Sequence, residues 1–280
     1  MLTAKSLRFI FALCLPLLLV GCALSPASID ARNASDVLLE RQLAAVESGL
    51  EKLPKGERAL VYLGSAQHSQ SLAFQRDVLL LEKRLKSIHP KLQSIILSNQ
   101  ESSTLTYPFA TLETLGEAFK RISKWSQTYP LTLVVLVSTH GNVDVLSTNI
   151  ANTYFSPVRS RNLRAWLNEL GDTPSTVILS ACYSGSFLPI ISEPHRIVLT
   201  AAAATRNSFG CAYGSENTYF ISALFGEDFD PGKTWKANFD TALSTIEKRE
   251  QALHVALPSN PQRFIPESFE NKSIAELLKP

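Results

Sequence analysis

Two residues in this chain have the types and the settings for covalent chemistry. His140 follows an apolar run at residues 133–137 in the order Ser138-Thr139-His140-Gly141. Cys182 follows a second run at 176–179 in Ser180-Ala181-Cys182-Tyr183-Ser184-Gly185. A cysteine supplies a polarisable nucleophile, best as thiolate, and an imidazole within reach takes its proton or stabilises the anion. The glycine after the histidine bares the backbone, so the Gly141 N–H can face the site beside the N–H of Cys182. Two such amides could form an oxyanion hole, worth about 3 kcal/mol per donor in serine enzymes. Taken singly each residue has a plainer explanation, since free cysteine is among the most buried residue types and a lone histidine is usually structural. Together they carry chemistry if both stand at the same rim of one sheet.

That placement sets what the surrounding elements must be. Strand-like runs at 59–63, 92–97, 131–139, 176–181 and 197–203 alternate with helical stretches at 72–88, 112–125 and 158–170. Such alternation predicts a parallel sheet with helices on both faces. Residues 131–137 are apolar without alternation, as a central strand covered on both sides requires. Phe74, Val78, Leu81, Leu85 and Ile88 form one helical stripe; Ser156-Pro157 reads as a cap and first-turn proline for the third helix, which Gly171 closes. An amphipathic helix at 35–53, with Leu39, Leu43, Val46 and Leu50 on one face, docks on the body. A helix at 234–253 and a short strand at 263–265 complete one domain. In open parallel sheets the functional crevice lies beyond the carboxyl ends of the strands, where neighbours are ~4.8 Å apart.

The 280 residues are 45% hydrophobic and 19% charged, which suits one globular domain. A net charge of +2 without a basic stripe excludes a nucleic-acid partner from the expected functions. Lys5 and Arg8 precede an apolar stretch from Phe9 to Val20 that closes in Leu19-Val20-Gly21-Cys22, the pattern of a signal peptide. It is shorter than the ~20 residues that span a bilayer. Residues 1–21 are therefore expected to be a signal peptide, and because the small residues before Cys22 resemble the bacterial lipobox, the resemblance implies a lipoprotein signal, with residues 22–34 a lipidated tether, small and polar from Ala23 to Asn33, and residues 35–280 the folded domain. Cys14 leaves with the signal, and only Cys182 and Cys211 remain in the body, free or bridged. Tyr183-Ser184-Gly185 lacks the leading glycine of a serine-hydrolase elbow, no phosphate-binding glycine loop follows the first strand, and His68, His89, His195 and His254 show no metal spacing. No cofactor and no metal are expected.

The His-Gly and Ala-Cys pair resembles the legumain-like peptidases of the caspase clan. The likeness extends through Pro108-Phe109-Ala110-Thr111-Leu112, Thr200-Ala201-Ala202, Asn207-Ser208-Phe209-Gly210-Cys211, Thr218-Tyr219-Phe220 and Ser259-Asn260-Pro261-Gln262, which look like the bacterial branch. It covers residues 59–265. The resemblance implies an α/β caspase-like three-layer sandwich with a mainly parallel six-stranded sheet, His140 as base and Cys182 as nucleophile. Legumains bind Asn or Asp before the scissile bond through an arginine and polar pocket residues. Here Arg76 is the nearest cation and Ser208 fits the pocket wall. The family's Arg-His pair is absent, Tyr183 replaces an acidic residue, and Ser222 stands near the place of a pocket aspartate. The lipobox similarity implies acylation of Cys22, and Ala23 after it favours the outer membrane. The expected function is an envelope-anchored cysteine endopeptidase acting on peptides or proteins. Its rivals are a peptide ligase or transamidase using the same acyl-enzyme, a silent binding module, and a redox sensor built on Cys182 and Cys211.

Overall fold

Three consecutive-in-space strands, β1 (Ala59–Ala66), β3 (Leu131–Ser138) and β7 (Ser175–Ser180), are buried at every position in a computed structural model of the chain, which describes residues 26–100, 105–212 and 214–279. Both faces of these strands are apolar because helices cover both. Val61, Leu63, Leu133 and Val135 enter one core, while Leu60, Tyr62, Val134 and Leu136 enter the other. The strands are flanked by β2 (Gln93–Ser98), β8 (Arg196–Thr200) and β9 (Gln262–Phe264) in a six-stranded sheet of order β2-β1-β3-β7-β8-β9. All neighbours run parallel except β9 against β8. The expected α/β layering with a mainly parallel six-stranded sheet is present.

One layer holds α1 (Pro26–Glu51), α3 (Leu112–Ser126), α4 (Ser160–Asn168) and the short α5 (Leu188–Ile191). Leu39, Leu43, Val46 and Leu50 of α1 are all buried there. The Gln42 side chain bonds both the amide and the carbonyl of Ile96, which closes the open edge of β2. The opposite layer holds α2 (Leu72–Ile88), α6 (Tyr219–Phe225) and α7 (Trp235–Ala252), with two short helices, α8 (Glu267–Glu270) and α9 (Ile274–Leu277), near the C-terminus. Ser71 caps α2 and Thr111 caps α3 through their side chains. Among the described residues no helix is long and apolar enough to cross a membrane.

Two expectations need correction. The tether expected through Asn33 is helical from Pro26 onward, because the stripe that docks α1 lets the helix propagate back along the chain. Ser156 and Pro157 do not start the third helix: they lie in β6 (Thr153–Val158), the outer strand of a small antiparallel sheet with β5 (Val145–Ile150) and β4 (Gly141–Asn142). A proline is tolerated there because an outer strand has one side without ladder partners. α4 starts at Ser160, whose amide is capped from a distance by Asp144 Oδ1 at 2.9 Å, and the left-handed Gly171 follows its end as expected. The small sheet itself carries little sequence signal. Its turn places Ala151 and Asn152 at positive φ, an arrangement usually marked by glycine. The signal peptide, Cys14, Cys22 and Ala23 lie outside the described residues.

Candidate active site

The sheet aligns three strand ends in one row. Ala66 of β1 is paired with Ser138 of β3, and Ser138 with Ser180 of β7. The row is extended by the Gln67 amide donating to the Ser138 carbonyl and the Thr139 amide donating to the Ser180 carbonyl, both at 3.1 Å. His68, His140 and Cys182 are each the second residue past this row. Equal offset from aligned neighbours brings all three to the carboxyl rim, where an open parallel sheet forms its crevice. Gly141 has to be glycine here: a Cβ on it would lie 2.4 Å from the Cys182 carbonyl oxygen. The His140-Gly141 and Cys182 segments therefore touch through backbone.

The His140 ring is half-buried and held edge-on by two other rings, His68 at 4.5 Å and Phe74 at 5.0 Å between centroids. Burial lowers its pKa from the ordinary histidine value, so the neutral imidazole is favoured. His68 is 1% exposed, and burial, together with the charge of His140, lowers it to about 4. Its Nε2 has no hydrogen-bond partner among the described residues. The sulfur within hydrogen-bonding range of His140 Nδ1 is that of Cys211, at 3.9 Å. No hydrogen bond joins His140 to Cys182 among the described residues, and such bonds often form only once substrate is present.

Cys182 Sγ is gripped by a single residue. The Ser208 amide donates to it at 3.3 Å, and the Ser208 hydroxyl and carbonyl oxygens lie 3.6 Å away. The next residue, Tyr183, adopts a left-handed conformation with φ of 57° and anchors its amide on the Arg206 carbonyl at 2.7 Å. That conformation costs an ordinary side chain about 1–2 kcal/mol. The turn it makes swings the chain from β7 into the 3-10 turn at Ser184–Phe187 and leaves Cys182 at the apex. Both Cys182 and Cys211 are free and half-buried. Burial and the Cys182 charge raise the Cys211 pKa.

Below the row lies a charge that the sequence did not single out. Asp77 of α2 is fully buried and accepts four hydrogen bonds: from Ser138 Oγ at 2.6 Å, Thr218 Oγ1 at 2.8 Å, the Thr218 amide at 3.0 Å and Asn217 Nδ2 at 3.0 Å. His68 and Phe74 are likewise site residues that the sequence does not single out. A longer first strand, ending at Ala66 instead of residue 63, is the signal that would have exposed His68.

The sequence-derived candidates thus separate. His140, Gly141, Cys182 and Ser208 come together, with Ser208 against the Cys182 sulfur itself. Arg76 does not join them: it is exposed on α2, and its Nη1 reaches the Ser215 carbonyl at 3.4 Å. Ser222 instead accepts from Arg249 of α7 at 2.6 Å, and that guanidinium lies 5.7 Å from the Tyr219 ring centre. Arg249, Ser222, Tyr219 and Asn217 line an open depression of about 540 Å³. Among the described residues no three His, Cys, Asp or Glu side chains are grouped so as to hold a metal ion.

Comparison with known proteins bears on the fold and the family. The solved structure of caspase-1 from Spodoptera frugiperda matches with a TM-score of 0.52 at 14% identity, covering 75% of this chain and 86% of that one. At that identity the likeness shows the fold, which is caspase-like. No protein with a curated description matches the chain. The model of the Peptidase C13 family matches residues 128–269, from just before β3 into α8. That span is half of the chain and contains both strand ends that carry the His-Gly and Ala-Cys motifs, so the chain belongs to the Peptidase C13 family, the legumain family of cysteine peptidases in the caspase clan.

Proposed function

We propose that this chain is a cysteine endopeptidase in which Cys182 is the nucleophile and His140 its base, held at a bacterial envelope by lipid on Cys22. The observation that carries the proposal is the shared register of Ser138 and Ser180, which puts His140 and Cys182 at the same offset past neighbouring parallel strands. The thiol gives its proton to the neutral imidazole, and the sulfur adds to the scissile carbonyl. Negative charge moves onto the carbonyl oxygen, where the amides of Gly141 and Cys182 would receive it. The C–N bond breaks as the imidazolium returns its proton to the leaving amine, which leaves a thioester on Cys182. Water, deprotonated by the same imidazole, then adds to the thioester carbonyl, and the sulfur departs with the carboxyl product released. Family membership supports peptide or protein as the substrate class.

Burial supports these roles. It keeps His140 neutral, the form that accepts a proton, and the Ser208 amide offers a developing thiolate a donor before substrate arrives. Purified protein should react with a peptidyl acyloxymethyl ketone at Cys182 much faster than at Cys211, and His140→Ala should slow that reaction. Equal labelling of the two sulfurs rules the dyad out. The anchor proposal rests on Leu19-Val20-Gly21-Cys22 followed by Ala23. Cys22→Ser should move the protein from the outer-membrane fraction to the soluble one, and unchanged fractionation counts against the lipid.

A further inference from the structure

Among the buried charged residues outside the dyad, Asp77 lies beside the site. Asp77 sits on α2, which carries neither His140 nor Cys182, and a buried carboxylate is costly unless its lone pairs are filled. Burial pushes it up to about 6 while its hydrogen bonds pull the other way, so at neutral pH it is ionised. An ionised carboxylate only accepts. The Ser138 hydroxyl therefore donates to it, and so does the single hydroxyl proton of Thr218. Thr218 Oγ1 then has only lone pairs left for Ser180 Oγ, 2.9 Å away, so Ser180 is the donor in that pair.

Each member of this chain of hydroxyls stands next to a part of the site. Ser138 precedes His140 by two residues, and Ser180 precedes Cys182 by two. Thr218 ends the segment that brings Ser208 to the Cys182 sulfur and Cys211 to the imidazole, and it caps α6 through the Ile221 amide. We infer that Asp77 is a positioning residue for the dyad: through Ser138 and Thr218 it ties the end of the base strand, the end of the nucleophile strand and the sulfur-gripping segment to one point on α2. This inference rests on the proposed roles of His140 and Cys182. Three segments far apart in sequence are thereby given one reference point, which ladder bonds between β3 and β7 alone cannot give to the third.

The test uses the full chain in detergent and two probes of Cys182. Iodoacetamide needs only a nucleophilic sulfur, whereas the best-reacting member of a tripeptidyl acyloxymethyl ketone series also needs base and amides in line. Asp77→Asn keeps the shape but offers one acceptor oxygen where two are used. In that variant the maximal inactivation rate by the ketone should fall by about tenfold to a hundredfold, as misplacement near 1 Å does elsewhere. The ketone's half-saturating concentration and the iodoacetamide rate should stay within about threefold. Thr218→Val should reproduce the loss, and Thr218→Ser, which keeps the hydroxyl, should restore the rate. A purely structural role would lower the melting temperature and the number of titratable sites while the surviving sites reacted at the normal maximal rate. That outcome, or a normal rate in folded Thr218→Val, overturns the inference, and the Thr218 pair decides alone should Asp77→Asn fail to fold. Absence of ketone labelling at Cys182 in the unmutated protein would instead overturn the proposed dyad and the inference with it.

Discussion

Cys182 stands at the end of a central strand with a backbone amide donating to its sulfur, whereas Cys211 stands between β8 and α6, packed on the apolar core of the α2 side. Burial and the charge of Cys182 both push the Cys211 thiol up, and only Cys211 lies within hydrogen-bonding range of the imidazole. Nearness to the imidazole and an amide donor from Ser208 have been given to different sulfurs. A thiol beside a base is a poor nucleophile where burial against apolar side chains outweighs the hydrogen bond to its anion, as it does at Cys211. A thiol with an amide donor needs the base only when the proton leaves, and catalytic hydrogen bonds that are long in a free enzyme tighten once substrate is bound. The strand end supplies a fixed position and a donor; the loop supplies proximity.

The sharpest break of this comparison is to remove each sulfur in turn. Cys182→Ala should lower peptide cleavage by at least about a thousandfold, while Cys211→Ala should change it by no more than about threefold. Loss of cleavage in Cys211→Ala would reverse the assignment. The same Cys182→Ala protein should lose no more than about 1–2 kcal/mol in a denaturant melt, since a half-buried apex thiol contributes little packing. A smaller effect is expected at the backbone contact. Gly141→Ala pushes a methyl group against the Cys182 carbonyl, so it should cost about 1–3 kcal/mol of stability and about tenfold or more in the ketone reaction. Unchanged kinetics in that variant would mean the two segments are not set by this contact.

The mildest perturbation is pH. Because burial lowers the His140 pKa, the neutral base persists below the ordinary histidine value, and the acid limb of the inactivation rate should fall below pH ~6.5. Asp77 has the opposite sign: its folded pKa is raised to about 6, so the stability it contributes is fully present below the unfolded value of ~3.9 and is lost as pH rises through 6. Stability of the normal protein relative to Asp77→Asn should therefore decline between pH 4 and 6, by about 2 kcal/mol at most, and then level off. An acid limb at or above the ordinary histidine value, or a flat difference for Asp77, contradicts the burial argued for each group.

Much of this was legible because burial writes itself into local pattern. The span Leu72–Ile88 of α2 follows from a stripe of Phe74, Val78, Leu81 and Leu85, all of which are buried. The paired strand ends follow from two apolar runs that each stop in small residues before His140 and Cys182. Local pattern misled at Arg76 and Asp77. A helix turns each successive side chain by about 100°, so neighbours face different worlds, and here the carboxylate points inward while the guanidinium points out. It also failed at 141–158, where partly exposed strands without a clean apolar run form a separate antiparallel sheet, inserted in the sequence between β3 and β7.

The amino-acid order alone determined the alternating α/β architecture, the family motifs and the two residues proposed to do chemistry, since each is encoded within a few neighbouring positions. Only the tertiary structure decided their company: His68 and Phe74 around the imidazole, Ser208 on the sulfur, Cys211 near the base and Asp77 beneath. Asp77 meets Ser138 across 61 positions and Thr218 across 141. Periodicity reports which face of an element is buried, and it carries no information on which distant segment the crossover connections will bring to that face.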